Sequence, residues 1–149
     1  MFLGEYRHSI DNKNRLTVPV RYRDLMEEGA YIMRGLDRNL MVLTTKAFEA
    51  ISQSLDQKSF TDPLTRDMRR LFFGTASRLE IDKAGRILLP EFLCKLANLS
   101  SEKEAVLVGQ GSYFELWSAD DWALQQKALE EPEANKERFK VLDLSINSG

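Results

Sequence analysis

The chain has 149 residues, 43% of them hydrophobic, and a formal net charge of −2, which suits one compact domain or two small fused ones and is too polar for a membrane-embedded protein. No run approaches the roughly 20 apolar residues of a spanning helix, and residues 1–8 hold Glu5 and Arg7 where a signal peptide would be apolar, so a cytoplasmic protein is expected. One cysteine, Cys94, and one histidine, His8, exclude an intrachain disulfide and leave too few ligands for a zinc site; no metal and no cofactor is expected.

In chain order, the first feature is Ile10-Asp11-Asn12-Lys13-Asn14-Arg15-Leu16-Thr17-Val18-Pro19. Asn12 and Asn14 tolerate the positive φ of a tight turn, and Arg15-Leu16-Thr17-Val18 is rich in strand formers. Pro19 ends the strand and opens a short helix containing Leu25, with Gly29 as its stop signal. A strand at residues 31–33, a turn with Gly35, a strand at 40–43 and a capped helix from Thr45 onward follow. Thr61 or Asp62 caps the next helix, Pro63 suits its first position and Gly74 stops it. Leu64, Met68, Leu71 and Phe72 are expected to form its apolar stripe.

The first feature then returns. Ile81-Asp82-Lys83-Ala84-Gly85-Arg86-Ile87-Leu88-Leu89-Pro90 aligns with residues 10–19 at a constant offset of 71. The same succession follows: a short helix with Leu93 and Leu96 stopped near Asn98, strands at 105–108 and 113–117, Gly109 between them, and a helix from Ser118. The offset grows to 74, placing a short insertion near residues 100–104. A repeat that keeps its frame across five elements marks a duplicated unit, with boundaries at residues 5–47 and 76–119. Cys94, within Phe92-Leu93-Cys94, reads as a buried structural thiol, and Phe114, Trp117 and Trp122 read as core. The segment from residue 131 is polar until Val141-Leu142-Asp143-Leu144 and is expected to be a mobile tail that these apolar residues could dock.

Positive charge is concentrated where the repeat is. Residues 1–23 carry five basic and two acidic side chains, and residues 66–86 six and three; residues 99–137 carry nine acidic and three basic. Each copy has Asp-x-x-x-Arg across the turn. Such an Asp can accept backbone N–H bonds and hold the Arg by a charge-assisted pair. A guanidinium fixed at the lip of a hairpin can reach phosphates or guanine O6 and N7 in the major groove. Arg15 and Arg86 are the principal DNA-contact candidates. Lys13 and Lys83, in the turns, suit phosphates, and Arg7 belongs to the first basic patch. The competing reading is that the Asp11 and Arg15 pair and the Asp82 and Arg86 pair only stabilise their turns. Arg66, Arg69 and Arg70 read more simply as a solvated helix face. General acid chemistry by Asp11 or Asp82 is disfavoured, because a neighbouring Arg keeps each ionised.

The paired Asp-x-x-x-Arg units, with Arg15-Leu16-Thr17-Val18-Pro19, Tyr22-Arg23, Val108-Gly109-Gln110 and Phe114-Glu115-Leu116-Trp117, resemble the MraZ family from the first residue to about Trp122. The resemblance implies a mainly β fold with short helices (α+β), two AbrB-like swapped-hairpin units forming a β-barrel pseudo-dimer within one chain, and no enzymatic activity. It also implies a nucleoid-associated, sequence-specific DNA-binding transcriptional regulator, a repressor at the promoter of the division and cell-wall gene cluster. Its partners would be double-stranded DNA with repeated operator sites and further copies of itself in a ring. By motif match Arg15 is the first DNA contact and Arg86 its counterpart. The alternative is an AbrB-fold interaction module of antitoxin type whose main partner is a protein.

Overall fold

A computed structural model describes residues 1–145. The elements are β1 (Glu5–Ser9), β2 (Arg15–Thr17), α1 (Val20–Leu25), β3 (Ala30–Arg34), β4 (Leu40–Thr44), α2 (Thr45–Asp56), α3 (Pro63–Phe73), β5 (Ser77–Leu79), β6 (Arg86–Leu88), α4 (Glu91–Leu96), β7 (Glu104–Gly109), β8 (Tyr113–Ser118), α5 (Ala119–Leu129) and α6 (Pro132–Phe139). The expected succession of one strand, turn, strand, short helix, strand, strand and helix thus occurs twice.

The two copies are interleaved through their strands. The large sheet has the order β1-β7-β8-β4-β3-β5, and a separate ribbon pairs β2 with β6. All pairings are antiparallel, and β1 of the first copy pairs with β7 of the second while β5 of the second pairs with β3 of the first. Each copy therefore gives its leading strand to the other. In the ribbon Leu16 lies opposite Ile87, its own counterpart at offset 71. In the sheet Met41 lies opposite Glu115, its counterpart at offset 74. A pseudo-twofold axis relates the copies through these two pairs. The large sheet ends in β1 and β5, with no ladder joining those edges among the described residues.

One apolar cluster holds the copies together. Leu16, Val18, Ile87 and Leu89 of the ribbon pack with Tyr22, Leu93 and Cys94 of the short helices and Ile32, Val42, Leu107, Phe114 and Leu116 of the sheet. Tyr22 is buried among Phe2, Tyr6 and Phe114 at ring separations of 4.9–5.2 Å. Its hydroxyl donates toward the carbonyls of Leu3 and Gly4 at 3.0 and 3.2 Å, which satisfies a buried polar group and anchors the N-terminal segment. Burying many such side chains at about 1.5–3 kcal/mol each is the main favourable contribution to the shared core. Trp117 and Trp122 pack on the other face of the sheet with Val106, as core residues. Cys94 is buried, and burial, helped by Glu91, pushes its thiol up to about 11, so it is an inert structural group.

The capping signals hold in detail. Thr44 and Ser118, 74 residues apart, each accept a backbone N–H from three residues ahead at 3.1 Å and open α2 and α5. Asp62 caps α3, with Pro63 at its start and Gly74 at its end. The stripe of α3 differs from expectation. Thr65 and Phe72 face inward, Leu71 and Phe73 are partly covered, and Leu64 is 77% exposed with Met68 also outside. Positions 65, 69 and 72 follow the i, i+4, i+7 spacing of one helix face. Arg69 sits there because its guanidinium stacks over Phe73 at 5.0 Å and pairs with Asp56 at 3.0 Å, which leaves its aliphatic stem to cover apolar surface.

Part of the segment expected to be a mobile tail is helical, and its apolar residues lie exposed. Residues 132–139 form α6, tied to α5 by Asn135 donating to the Leu129 carbonyl and Arg138 to the Ala128 carbonyl. Val141, Leu142 and Leu144 stay exposed. Residues 146–149 of the expected tail lie outside the described residues.

Candidate nucleic-acid interface

The two Asp-x-x-x-Arg turns have the same internal geometry. Asp11 Oδ1 accepts the backbone N–H groups of Lys13 and Arg15 at 2.9 and 2.8 Å, and Asp82 Oδ1 those of Ala84 and Arg86 at 2.9 Å each. The other carboxylate oxygen accepts the side-chain Nε–H of Arg15 at 2.7 Å and of Arg86 at 2.9 Å. The residue before each Arg has positive φ, Asn14 at 60° and Gly85 at 79°. Asparagine and glycine are the residue types that adopt this conformation at low cost.

This arrangement fixes charge as well as shape. At Asp11, burial is the largest single influence and pushes the carboxyl up, but the N–H bonds from Arg15 and Lys13 and the Arg15 guanidinium outweigh it and hold the group below the ordinary carboxylate value. At Asp82 the Arg86 N–H dominates; burial opposes it, and the Arg86 side chain and the Ala84 N–H add to the lowering. A carboxylate lowered in the folded state contributes stability above its unfolded value and loses it as pH falls through the folded value. Both groups are solvent-facing, so the effect is small. We expect the melting-temperature difference between wild type and an Asp11→Asn, Asp82→Asn double variant to shrink as pH falls through the carboxylate range. A difference that stays constant into strong acid would show that the ionised carboxylates do not hold the turns.

The guanidiniums face outward together. In β2 and β6 the middle residues Leu16 and Ile87 point into the core and are fully buried. Side chains alternate along a strand, so Arg15, Thr17, Arg86 and Leu88 share the opposite face. The register sets Arg15 beside Leu88 and Thr17 beside Arg86. Two strands apart by about 4.8 Å and two residues along by about 6.7 Å place the arginine Cα atoms roughly 8 Å apart. Because Asp engages only Nε, the terminal nitrogens Nη1 and Nη2 of both arginines have no hydrogen-bond partner among the described residues. Each guanidinium is thus oriented from one side and left open on its two-pronged edge.

The other candidates are placed differently. Lys13 and Lys83 lie in the turns at non-equivalent positions, since offset 71 takes Lys13 to Ala84 and Asn12 to Lys83. Arg7 is on β1, and its terminal nitrogens bond Glu5 and Glu104 at 3.0 Å each. Binding an anion there would require exchanging these carboxylates. Arg66 donates to the carbonyls of Phe60 and Thr61, and Arg70 pairs with Asp67, in line with a solvated and self-paired helix face. The expected insertion near residues 100–104 braces the first turn. Ser101 Oγ donates to Asn14 Oδ1 at 2.8 Å, and the Glu102 N–H donates to the Ile10 carbonyl at 2.6 Å. Residue order carries no local signal for the ribbon pairing itself, whereas alternation along each strand already puts Thr17 and Leu88 on the arginine face.

An interleaved duplication that presents two anchored arginines on one exposed ribbon defines a duplicated-hairpin protein. Comparison with known proteins agrees. The family described as "MraZ protein, putative antitoxin-like" matches twice, over residues 1–71 and 72–143. Relatives described as transcriptional regulator MraZ include one from Desulfitobacterium hafniense, 42% identical over 135 residues, 91% of this chain and 93% of the relative. Another, from Thermomicrobium roseum, is 40% identical over 129 residues, 87% and 89% of the two chains. A third, from Roseiflexus castenholzii, is 38% identical over 139 residues, 93% and 94%. The chain belongs to the MraZ family, a family of transcriptional regulators and not of enzymes.

Proposed function

We propose that the chain is a sequence-specific double-stranded-DNA-binding regulator whose β2-β6 ribbon enters the major groove. The observation that carries this reading is the pair of open guanidinium edges on one face of a two-stranded ribbon. A B-DNA major groove, about 12 Å wide, admits such a ribbon, and a bidentate Arg reads guanine O6 and N7. Arg15 and Arg86 are the base-reading groups, Lys13 and Lys83 the phosphate contacts that position them, and Asp11 and Asp82 the groups that orient the arginines. Arg7 is a peripheral contact that trades its carboxylates for a phosphate. The units spanning residues 5–47 and 76–119 act as an AbrB-like swapped-hairpin pseudo-dimer, with the ribbon lying over the sheet as the remaining wall of a barrel. Phe60 and Leu64, exposed among the described residues, support assembly into a ring of identical copies. The regulator acts in the cytoplasm at the nucleoid, as a repressor at repeated sites upstream of the division and cell-wall genes.

The test is fluorescence anisotropy of the full chain on the DNA upstream of its own gene, with unrelated DNA of equal length as competitor. We expect unrelated DNA to compete poorly. Equal competition by both would remove sequence-specific reading and favour the antitoxin-type alternative, a module whose partner is a protein.

A further inference from the structure

The pseudo-twofold symmetry breaks at the two turns. Arg23, on α1 of the first copy, lies across the turn of the second. Its Nε–H donates to the Val18 carbonyl at 2.7 Å, and the Val18 N–H in turn donates to the Gly85 carbonyl at 2.9 Å. The guanidinium rests so close over Gly85 that a methyl group there would overlap it. Gly85 supplies the positive φ of the turn, and its missing Cβ leaves the space that the Arg23 guanidinium occupies. At offset 71 the counterpart of Arg23 is Cys94, which is buried. The first turn receives the uncharged Ser101 and Asn14 contact instead. Arg23 therefore adds a cation beside the second turn, where its counterpart Cys94 adds none at the first.

Arg23 is partly exposed and makes no ion pair among the described residues. It borders a surface depression of about 540 Å³ that also contains Asp24, Glu27, Glu28, Glu80 and Arg78. Only Nε is tied down, so its terminal nitrogens keep their donors, as in Arg15 and Arg86. A fixed guanidinium with free donors beside a groove-reading turn matches the geometry of a backbone phosphate contact.

We propose that Arg23 reaches across the repeat boundary to bind a DNA backbone phosphate at the second hairpin, making the two hairpins unequal in their electrostatic contribution. The inference rests on the DNA-binding reading above. A lysine at position 23 keeps the charge, whereas a glutamine keeps a donor for Val18 and loses the charge.

The experiment measures the affinity of full-length wild type, Arg23→Lys, Arg23→Gln and Arg23→Ala for the upstream DNA across a salt series, with melting temperature recorded for each. Losing one phosphate contact lowers the slope of log affinity against log salt by about 0.9 per engaged chain. We expect that decrease for Arg23→Gln and a slope close to wild type for Arg23→Lys, at similar melting temperatures. A weaker Arg23→Gln complex with an unchanged slope would make Arg23 a brace of the turn and overturn the proposal, as would unchanged affinity. Should Arg23→Ala fail to fold, the Lys and Gln pair still decides. Absence of specific binding by the wild type overturns the DNA reading itself, and this inference with it.

Discussion

Arg15→Ala is expected to abolish specific DNA binding while leaving the fold intact. The turn does not depend on the Arg15 side chain, because Asp11 still accepts the backbone N–H groups of residues 13 and 15. The pair it forms with Asp11 is partly exposed and contributes little to stability. Each lost bidentate base contact costs about 1–3 kcal/mol, or roughly 5- to 150-fold in affinity per engaged chain, and the losses would compound across copies if the chain assembles as proposed. Arg15→Lys is not expected to rescue binding. Lysine lacks both the Nε edge that Asp11 holds and the planar two-pronged edge that faces outward. Circular dichroism and melting temperature establish the fold, and anisotropy on the upstream DNA reads the affinity. A well-folded Arg15→Ala protein that binds as tightly as wild type would reduce the Asp11 and Arg15 pair to a turn-stabilising contact.

Much of that argument was accessible from residue order, and the parts that were not share a cause. Local signals act over a few residues. Asp11, Asn14 and Arg15 declare a turn, Thr45 and Ser118 mark helix starts, and the structure places all of them accordingly. Recurrence at offset 71 added the duplication. Strand partners are a different kind of information. A three-residue strand such as Arg15–Thr17 shows which side chains alternate but not what it pairs with. That Leu16 faces its own counterpart, Ile87, follows from global packing of the shared core. The Arg23 and Gly85 contact spans 62 positions in sequence, and nothing near either residue encodes it. In α3, counting hydrophobic residues selected Leu64 and Met68. The buried positions are instead Thr65 and Phe72, with Arg69 half-buried between them, paired with Asp56 and stacked over Phe73.

Affinity for several operator repeats in helical phase is expected to exceed affinity for one by about 100-fold or more. The chain is nearly neutral, with a net charge of −2, and Arg7, Arg69 and Arg70 already pair with carboxylates. A nearly neutral chain gains little from nonspecific attraction, so a single ribbon on a single repeat is expected to bind weakly. If copies assemble into a ring, once one ribbon is seated the next is held near the next repeat at high effective concentration. Linkage of this kind gains about 10²- to 10⁴-fold without any new contact, provided the geometry permits simultaneous engagement. The groove faces the same side of the duplex once per turn of about 10.5 base pairs. Inserting half a turn between repeats points adjacent sites to opposite sides and removes the gain. Titrating duplexes with one, two and three repeats, at native and half-turn spacing, measures this directly, with particle mass read in parallel by light scattering. Equal affinity across the series would mean that one ribbon supplies the whole binding energy, and assembly would then have no part in recognition.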